Sequence, residues 1–391
     1  MLSSLVQEKK PNGILFLHGS SDLYGASKVL LQTIVACQQN GENCIVVLSE
    51  PGPFSDKIEA LGVKIYFLKL GILRRKYNSP LGMLNRLYYL IKAHFSLKAI
   101  IKQHNIHLIY SNTTAVIIGA ITSKLLKKRH IWHIHEIIAT PRPLLWFLSY
   151  LMEYCSNLNI TVSSATFHHW NSLNPSLAKL HKLITIFNGL NPTAYLSIAQ
   201  NTQQPLVIGM IGRVHFWKGQ TYFIEIAHQI AKLNKEVRFI MAGDPFPGYE
   251  YLLEEIEQKK NELGMNELVH NMGYVANNKL FFEKIDLLIT PSVLPDPLPT
   301  VVLEAMAASK PVAATKMGGA LDMIISNETG ILIPWDNALE AAIQINELLQ
   351  SPNTMKMMGE NGRTRVLSHF SIERYHKEIY QAIASLMPVN E

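Results

Sequence analysis

Two successive series of short apolar runs, each run followed by a helical pattern, restrict what this chain can fold into more than any other feature. The first series opens with Gly13-Ile14-Leu15-Phe16-Leu17-His18, a short apolar run of the kind that buried parallel strands show. A loop of small residues, Gly19 to Ser27, leads into a helical pattern over Val29-Leu30-Leu31-Gln32-Thr33-Ile34-Val35-Ala36, and Asn40-Gly41 supplies its stop. Strand-like runs recur at 44–48, 63–67, 108–110, 130–135 and 184–187. The second series starts at Leu206-Val207-Ile208-Gly209-Met210-Ile211-Gly212 and continues through 237–242, 287–290, 311–314 and 330–333. Strands alternating with helices build parallel sheets covered on both faces, so two series predict two doubly wound α/β domains. A length of 391 residues suits that number at roughly 100–200 residues per domain. The polar stretch Ala199-Gln200-Asn201-Thr202-Gln203-Gln204 predicts the join, giving a first domain over 1–198 and a second over 199–370.

Composition removes several classes. With 48% hydrophobic and 17% charged residues there is material for large cores, and global disorder is excluded. No run of about 18 uncharged apolar residues predicts a spanning helix. The start, Met1-Leu2-Ser3-Ser4-Leu5-Val6-Gln7-Glu8-Lys9-Lys10, lacks the apolar core of a signal peptide, so a cytoplasmic protein is expected. Cys37, Cys44 and Cys155 are scattered and odd in number, which fits neither a disulfide framework nor a cysteine zinc site.

The net charge of +6 hides a division: residues 1–200 carry 20 Lys/Arg against 8 Asp/Glu, and residues 201–391 carry 16 against 22. Between Glu59 and Glu136 stand 13 Lys/Arg and no acid. Either this is chance plus a basic loop, or the first half meets something anionic. Segment 81–102 holds Leu84, Leu87, Tyr88, Leu90, Ile91, Phe95, Leu97, Ile100 and Ile101 with Arg86, Lys92, Lys98 and Lys102 interspersed, after Arg74-Arg75-Lys76. Two readings stay open for it. One is an ordinary domain helix with a solvated basic face. The other is reversible, salt-sensitive attachment to an anionic membrane surface, where each nearby cation contributes about 1 kcal/mol. No nucleic-acid module or interleaved aromatic pattern accompanies the charge, so nucleic acid is not an expected partner.

The stretch Pro291-Ser292-Val293-Leu294-Pro295-Asp296-Pro297-Leu298-Pro299-Thr300-Val301-Val302-Leu303-Glu304 carries the most chemistry. A strand ends at Thr290-Pro291, and a proline-rich loop leads into a helix starting near Pro299. The N–H groups of Thr300 and Val301 at that helix start form an anion site suited to a diphosphate. Asp296 and Glu304 bracket it at the carboxyl end of a parallel strand, where such sheets place ligands. Arg213 and Lys218, in Gly212-Arg213-Val214-His215-Phe216-Trp217-Lys218-Gly219, are fixed cations able to stabilise negative charge on a diphosphate bound there. Read singly, they are also ordinary surface cations on a strand–helix turn. With two cations present and no Asp-X-Asp, no metal is expected. His130, His133 and His135 form the dense histidine cluster. His133 and His135 share a strand face, but a zinc site lacks its third and fourth ligands, and His133 reads as a packing residue. The loop after the first strand lacks GxGxxG, which argues against a dinucleotide site.

Taken together, Asp296, Glu304-Ala305-Met306-Ala307, Lys310-Pro311 through Gly318-Gly319, Thr329-Gly330-Ile331-Leu332-Ile333, the Gly212 to Gly219 segment, Met241-Ala242-Gly243-Asp244, Met272-Gly273-Tyr274-Val275, Phe187-Asn188-Gly189-Leu190-Asn191 and Trp132-His133-Ile134-His135-Glu136 resemble the family-4 retaining glycosyltransferases of the GT-B fold. The resemblance spans nearly the whole chain. It implies two facing Rossmann-like domains with an interdomain cleft, the first taking the acceptor and the second the nucleotide sugar, and a closing helix within 371–391 that packs back on the first.

It also implies roles. Arg213 and Lys218 hold the diphosphate, beside Gly212. Glu304 bonds the ribose hydroxyls and Asp296 a sugar hydroxyl. Backbone at Leu298, Pro299, Thr300 and Val301 meets phosphate and sugar, and Gly273, Tyr274 and Val275 face the base. His135 contacts the sugar as a neutral imidazole, and Gly25, with Tyr24 and Ser20, lets backbone approach acceptor and phosphate. Two departures stand out: the first acid of the pair is usually glutamate, and the family's Phe-Gly is Leu298-Pro299 here, where Pro299 has no N–H. The expected activity is metal-independent, retaining transfer of a hexose, glucose first, from a nucleotide diphosphate sugar, UDP first, to a saccharide or lipid-linked saccharide in polysaccharide synthesis. No bound cofactor is implied. A sugar-nucleotide epimerase and a silent sugar-nucleotide-binding protein stay open as alternatives.

Overall fold

A computed structural model of the chain describes residues 13–73, 79–196, 198 and 205–388. The predicted linker 199–204, the first ten residues and Arg74-Arg75-Lys76 lie outside the described residues. The chain divides into two compact units. The first holds the residues up to Val162, Thr166–Phe187 and the chain from Tyr375; the second holds Ser163–Ala165 and Asn188–Arg374.

The first unit is built on seven parallel strands: β1 (Gly13–Leu17), β2 (Asn43–Leu48), β3 (Lys64–Phe67), β4 (Ile106–Asn112), β5 (Arg129–Ile134), β6 (Leu158–Thr161) and β7 (Leu183–Thr185). Their order across the sheet is β3-β2-β1-β4-β5-β6-β7. The order reverses between β1 and β4, which pair with Ile14 opposite Leu108 and Leu17 opposite Ser111. Every residue of β1 is buried, as its uninterrupted apolar run requires, because helices cover both faces of the sheet. β6 escaped the sequence reading. Its Leu-Asn-Ile-Thr sequence looks like a half-solvated strand, yet all four residues are buried. Asn159 survives there by donating to the carbonyls of Met152 and Lys182, and Thr161 by donating to Ile184. The final helix, Ile372–Ala384, adds Tyr375, Ile379 and Ile383 to the buried apolar set. Tyr375 pairs with the Thr33 hydroxyl at 2.6 Å, and the Tyr380 hydroxyl donates to Glu42 at 3.0 Å.

The second unit holds six parallel strands: β8 (Leu206–Ile211), β9 (Val237–Ala242), β10 (Val269–Asn271), β11 (Leu287–Thr290), β12 (Val312–Thr315) and β13 (Ile331–Ile333). They run in the order β10-β9-β8-β11-β12-β13, so the order reverses between β8 and β11. β10 is a three-residue edge strand with only Val269 buried, too short for an apolar run to mark it. Its core joins Ile208, Phe239, Leu287 and Ile289 of the sheet to Phe223, Ile226 and Ile345 of the covering helices.

Candidate active site

In an open parallel sheet the loops beyond the carboxyl ends of the two strands flanking the reversal diverge, one to each face, and leave a crevice. In the second unit those loops follow β8 and β11, and both sequence-predicted cation and carboxylate sit on them. Lys218 ends a 3-10 turn, Phe216–Lys218, after β8, and its Nζ lies 2.5 Å from Asp296 Oδ2 in the loop after β11. The Lys218 ammonium also stands 4.4 Å from the Trp217 ring centroid. Two glycine arrangements fix this approach. Gly219 turns at φ 78° and starts the helix Gln220–Leu233; a Cβ there would lie 1.9 Å from the Pro291 carbonyl oxygen. On the other side Gly319 N donates to the Asp296 carbonyl at 2.8 Å, and a Cβ on Gly318 (φ 60°) would come within 2.3 Å of that same oxygen.

Arg213 lies with its guanidinium 3.5 Å from the Phe246 ring centroid, and its carbonyl accepts from Gln220 Nε2 at 3.0 Å. Gly212 N donates to Ala242, and Gly243 N to Gly273, so the loop crests after β8, β9 and β10 are tied in series. This brings Gly212 and Gly273 onto one run of backbone. Tyr274 is exposed and Val275 half-buried beside it.

The helix Thr300–Ala307 begins after Pro299, which occupies the capping position rather than the first helical one. The N–H groups of Thr300 and Val301 have no hydrogen-bond partner among the described residues, and Leu298 just before them is buried. Glu304 is buried one turn further on and accepts from Asn278 Nδ2 at 2.6 Å. Tyr195 also faces Glu304: burial first, then that carboxylate, raises its hydroxyl pKa. Asn278 and Tyr195 were not singled out in the sequence. Asn278 and Tyr195 both stand far from Glu304 along the chain.

In the first unit the side chains gather at the equivalent reversal, around the ends of β1, β4 and β5. His135 Nε2 lies 2.8 Å from Asn112 Oδ1, so that nitrogen carries the proton. Asn112 Nδ2 in turn donates to the Ala26 carbonyl at 3.1 Å and stands 3.1 Å from His18 Nδ1. His18 Nε2 reaches the Ser27 hydroxyl at 2.9 Å. The relay sets His135 beside the start of the helix Gly25–Gln39. Tyr24 caps that helix through backbone alone, and a Cβ on Gly25 would meet nothing within 4 Å, leaving open space at the exposed helix start. Ser20 turns instead toward Asp22, 3.3 Å away.

Burial, with the neighbouring His133 and His18 adding to it, holds the His135 pKa well below 6.5, so the ring is neutral at pH 7. Burial alone brings His130 and His133 down to about 3. His130 binds the hydroxyls of Ser156 and Ser111, each at 2.9 Å, and His133 that of Tyr110 at 2.7 Å. Both are packed residues of the strand. The described residues contain no group of three or more His, Cys, Asp or Glu placed to hold a metal ion. Sequence reasoning gave no role to His18, Asn112 or Glu136, although Glu136 stands in the Trp132 to Glu136 motif. The half-buried Glu136 carboxylate accepts from Thr114 N, the Thr114 hydroxyl and His135 N, and so fixes the turn on which His135 stands.

Two parallel sheets, each with its polar residues at the reversal, define a protein of the GT-B class. Residues 24–194 match Glycosyltransferase Family 4 and residues 197–365 match Glycosyl transferases group 1, and the chain belongs to this glycosyltransferase family. It is 26% identical over 303 residues, 75% of this chain and 79% of the other, to an α-1,4-N-acetyl-D-galactosaminyltransferase of Campylobacter jejuni that extends a GalNAc-containing diNAcBac-PP-undecaprenol. It is 24% identical to the capsular polysaccharide biosynthesis glycosyltransferase CapM of Staphylococcus aureus, over 60% of this chain and 64% of that one. Among solved structures, Anabaena HepE in complex with UDP and glucose superposes with a TM-score of 0.79 at 23% identity, covering 95% of this chain and 99% of HepE. A glycosyltransferase from Rickettsia africae gives 0.81 at 16% identity, covering 97% and 100%.

Proposed function

We propose that this glycosyltransferase is a metal-independent, retaining hexosyltransferase that moves glucose from UDP-glucose to a hydroxyl of a saccharide or lipid-linked saccharide during polysaccharide synthesis. The observation that carries this reading is the Lys218–Asp296 pair across the reversal of the second sheet, next to the helix start at Thr300. Lys218 and Arg213 bind the diphosphate, and the N–H groups of Thr300 and Val301 share the load with the Leu298–Pro299 backbone. When a diphosphate takes Lys218, Asp296 is released to accept from a sugar hydroxyl. Glu304 bonds the ribose, and Gly212, Gly273, Tyr274 and Val275 border the base. Neutral His135 positions the sugar, and Ser20, Tyr24 and Gly25 approach the acceptor. The bond from the anomeric carbon to the diphosphate breaks while the acceptor oxygen bonds that carbon on the same face. The acceptor's proton passes to the departing phosphate oxygen.

Support for UDP and glucose comes from HepE, which was crystallised with both. Support for a lipid-linked acceptor comes from the undecaprenol-linked substrate of the Campylobacter relative. The first unit takes the acceptor and the second the donor, in the cytoplasm, with the basic first unit reversibly touching the inner face of the membrane.

Calorimetric titration with UDP, GDP and ADP, each with and without EDTA, tests the donor. UDP should bind most tightly and EDTA should change neither binding nor turnover. Tighter GDP binding, or activity lost in EDTA and restored by magnesium or manganese, would overturn the corresponding part.

A further inference from the structure

The helix Pro80–Gln103 is apolar on two faces. Ala93, Leu97, Ile100 and Ile101 are buried, while Leu81, Leu84, Tyr88, Ile91 and Phe95 form a second stripe at alternating three- and four-residue spacing that is exposed. A helix apolar all round is normally enclosed. Here one face packs on the unit's own core and the other has no cover among the described residues. A second helix, Arg142–Cys155, repeats the arrangement: Leu145, Leu148 and Met152 are buried, and Trp146, Tyr150 and Tyr154 stand exposed at four-residue spacing. Leu90 of the first helix and Leu145 of the second pack on one cluster, with Ala120 of the helix Ile118–Leu125. Both helices pack against the helix Ile118–Leu125, so the two outward stripes belong to one helical layer of one unit. Exposed apolar surface on this scale marks an interaction face.

Charge selects the occupant. The helix Pro80–Gln103 carries Arg86, Lys92, Lys98 and Lys102 and no acid. Lys124 and Arg142 of the next two helices are exposed. The one carboxylate of the second helix, Glu153, accepts from Asn174 Nδ2 at 2.8 Å. A second copy of this chain would oppose the same cations, at a cost in like-charge repulsion. Anionic lipid attracts them. Trp and Tyr favour the headgroup level, and apolar helix faces lodge about 5–10 Å into the headgroup–acyl boundary.

We infer that these two helices insert their outward faces together into an anionic bilayer, so that the protein is held by apolar burial as well as by charge. This rests on the proposed reading of a basic unit at the membrane, and deepens it from surface contact to insertion.

The test uses the full chain with phosphatidylcholine vesicles, alone or with phosphatidylglycerol, at low salt and at 1 M, where the Debye length is only about 3 Å. Expected is strong co-sedimentation with anionic vesicles at low salt, weaker with neutral ones, and a retained fraction at high salt. Brominated acyl chains should quench part of the tryptophan fluorescence, and Trp146→Phe should abolish that part. Leu84→Ser with Ile91→Ser should cut the salt-resistant fraction about tenfold while melting stays unchanged. Complete release at high salt with no quenching overturns insertion and leaves the surface-contact reading standing. Binding to neither vesicle overturns both. Equal binding to both vesicles overturns the anionic commitment, and dimerisation abolished by the serine variants would assign the face to a second copy instead.

Discussion

Lys218→Ala and Arg213→Ala are each expected to lower turnover by about 2–4 kcal/mol of transition-state stabilisation, roughly 30- to 1,000-fold, by analogy with lost oxyanion donors. On the proposed reading, breaking the bond to the diphosphate builds negative charge that these cations would meet, and a cation aimed at charge that develops only in the transition state acts on turnover more than on binding. Folding should change far less. Lys218 ends a short turn, and Arg213 stacks on the exposed Phe246. Removing Lys218 does leave the buried Asp296 without its partner. The companion variant Lys218→Ala with Asp296→Asn takes that carboxylate's charge away and should recover melting, while Asp296→Asn alone reports what the carboxylate itself contributes to turnover. Either single variant with wild-type melting and near-normal turnover would refute the assigned role.

Gly219→Ala should be a severely damaging change for so small an added group. Two costs add. A left-handed φ of 78° disfavours any Cβ by about 1–2 kcal/mol, and the new methyl would stand 1.9 Å from the Pro291 oxygen, which belongs to backbone and cannot simply rotate aside. Relief requires the turn bearing Lys218 and the loop bearing Asp296 to part. The second unit's melting transition should therefore fall by at least about 5 °C, taking roughly 2–4 °C per kcal/mol for a unit of this size, and UDP affinity should fall with it. Differential scanning calorimetry and UDP titration of the same preparation check both. Unchanged melting would mean that the two loops are not locked against each other.

The fold was legible because its strands are buried on both faces: β1, β8 and β11 are apolar runs that periodicity finds directly. β6 was not, since Asn159 and Thr161 owe their burial to hydrogen bonds that no local pattern announces. In the second unit Arg213, Lys218, Asp296 and Glu304 could be picked out because their chemistry coincides with turn and helix-start signals, and two of them meet at 2.5 Å in the fold. Asn278 and Tyr195 could not, because only the tertiary structure carries them to Glu304. The same holds for His18 and Asn112, which reach His135 across three strands. Trp146, Tyr150 and Tyr154 read as ordinary helix residues until burial shows which of their helix's two apolar faces is used.

Acceptor-free hydrolysis of UDP-glucose followed by proton NMR tests the central claim most directly. UDP-glucose is α-linked, so retaining chemistry with water as acceptor predicts that α-glucose appears first and then mutarotates. The rate should fall in Lys218→Ala and Arg213→Ala. β-Glucose appearing first, or no release of sugar from UDP-glucose under conditions where UDP itself binds, would contradict the account.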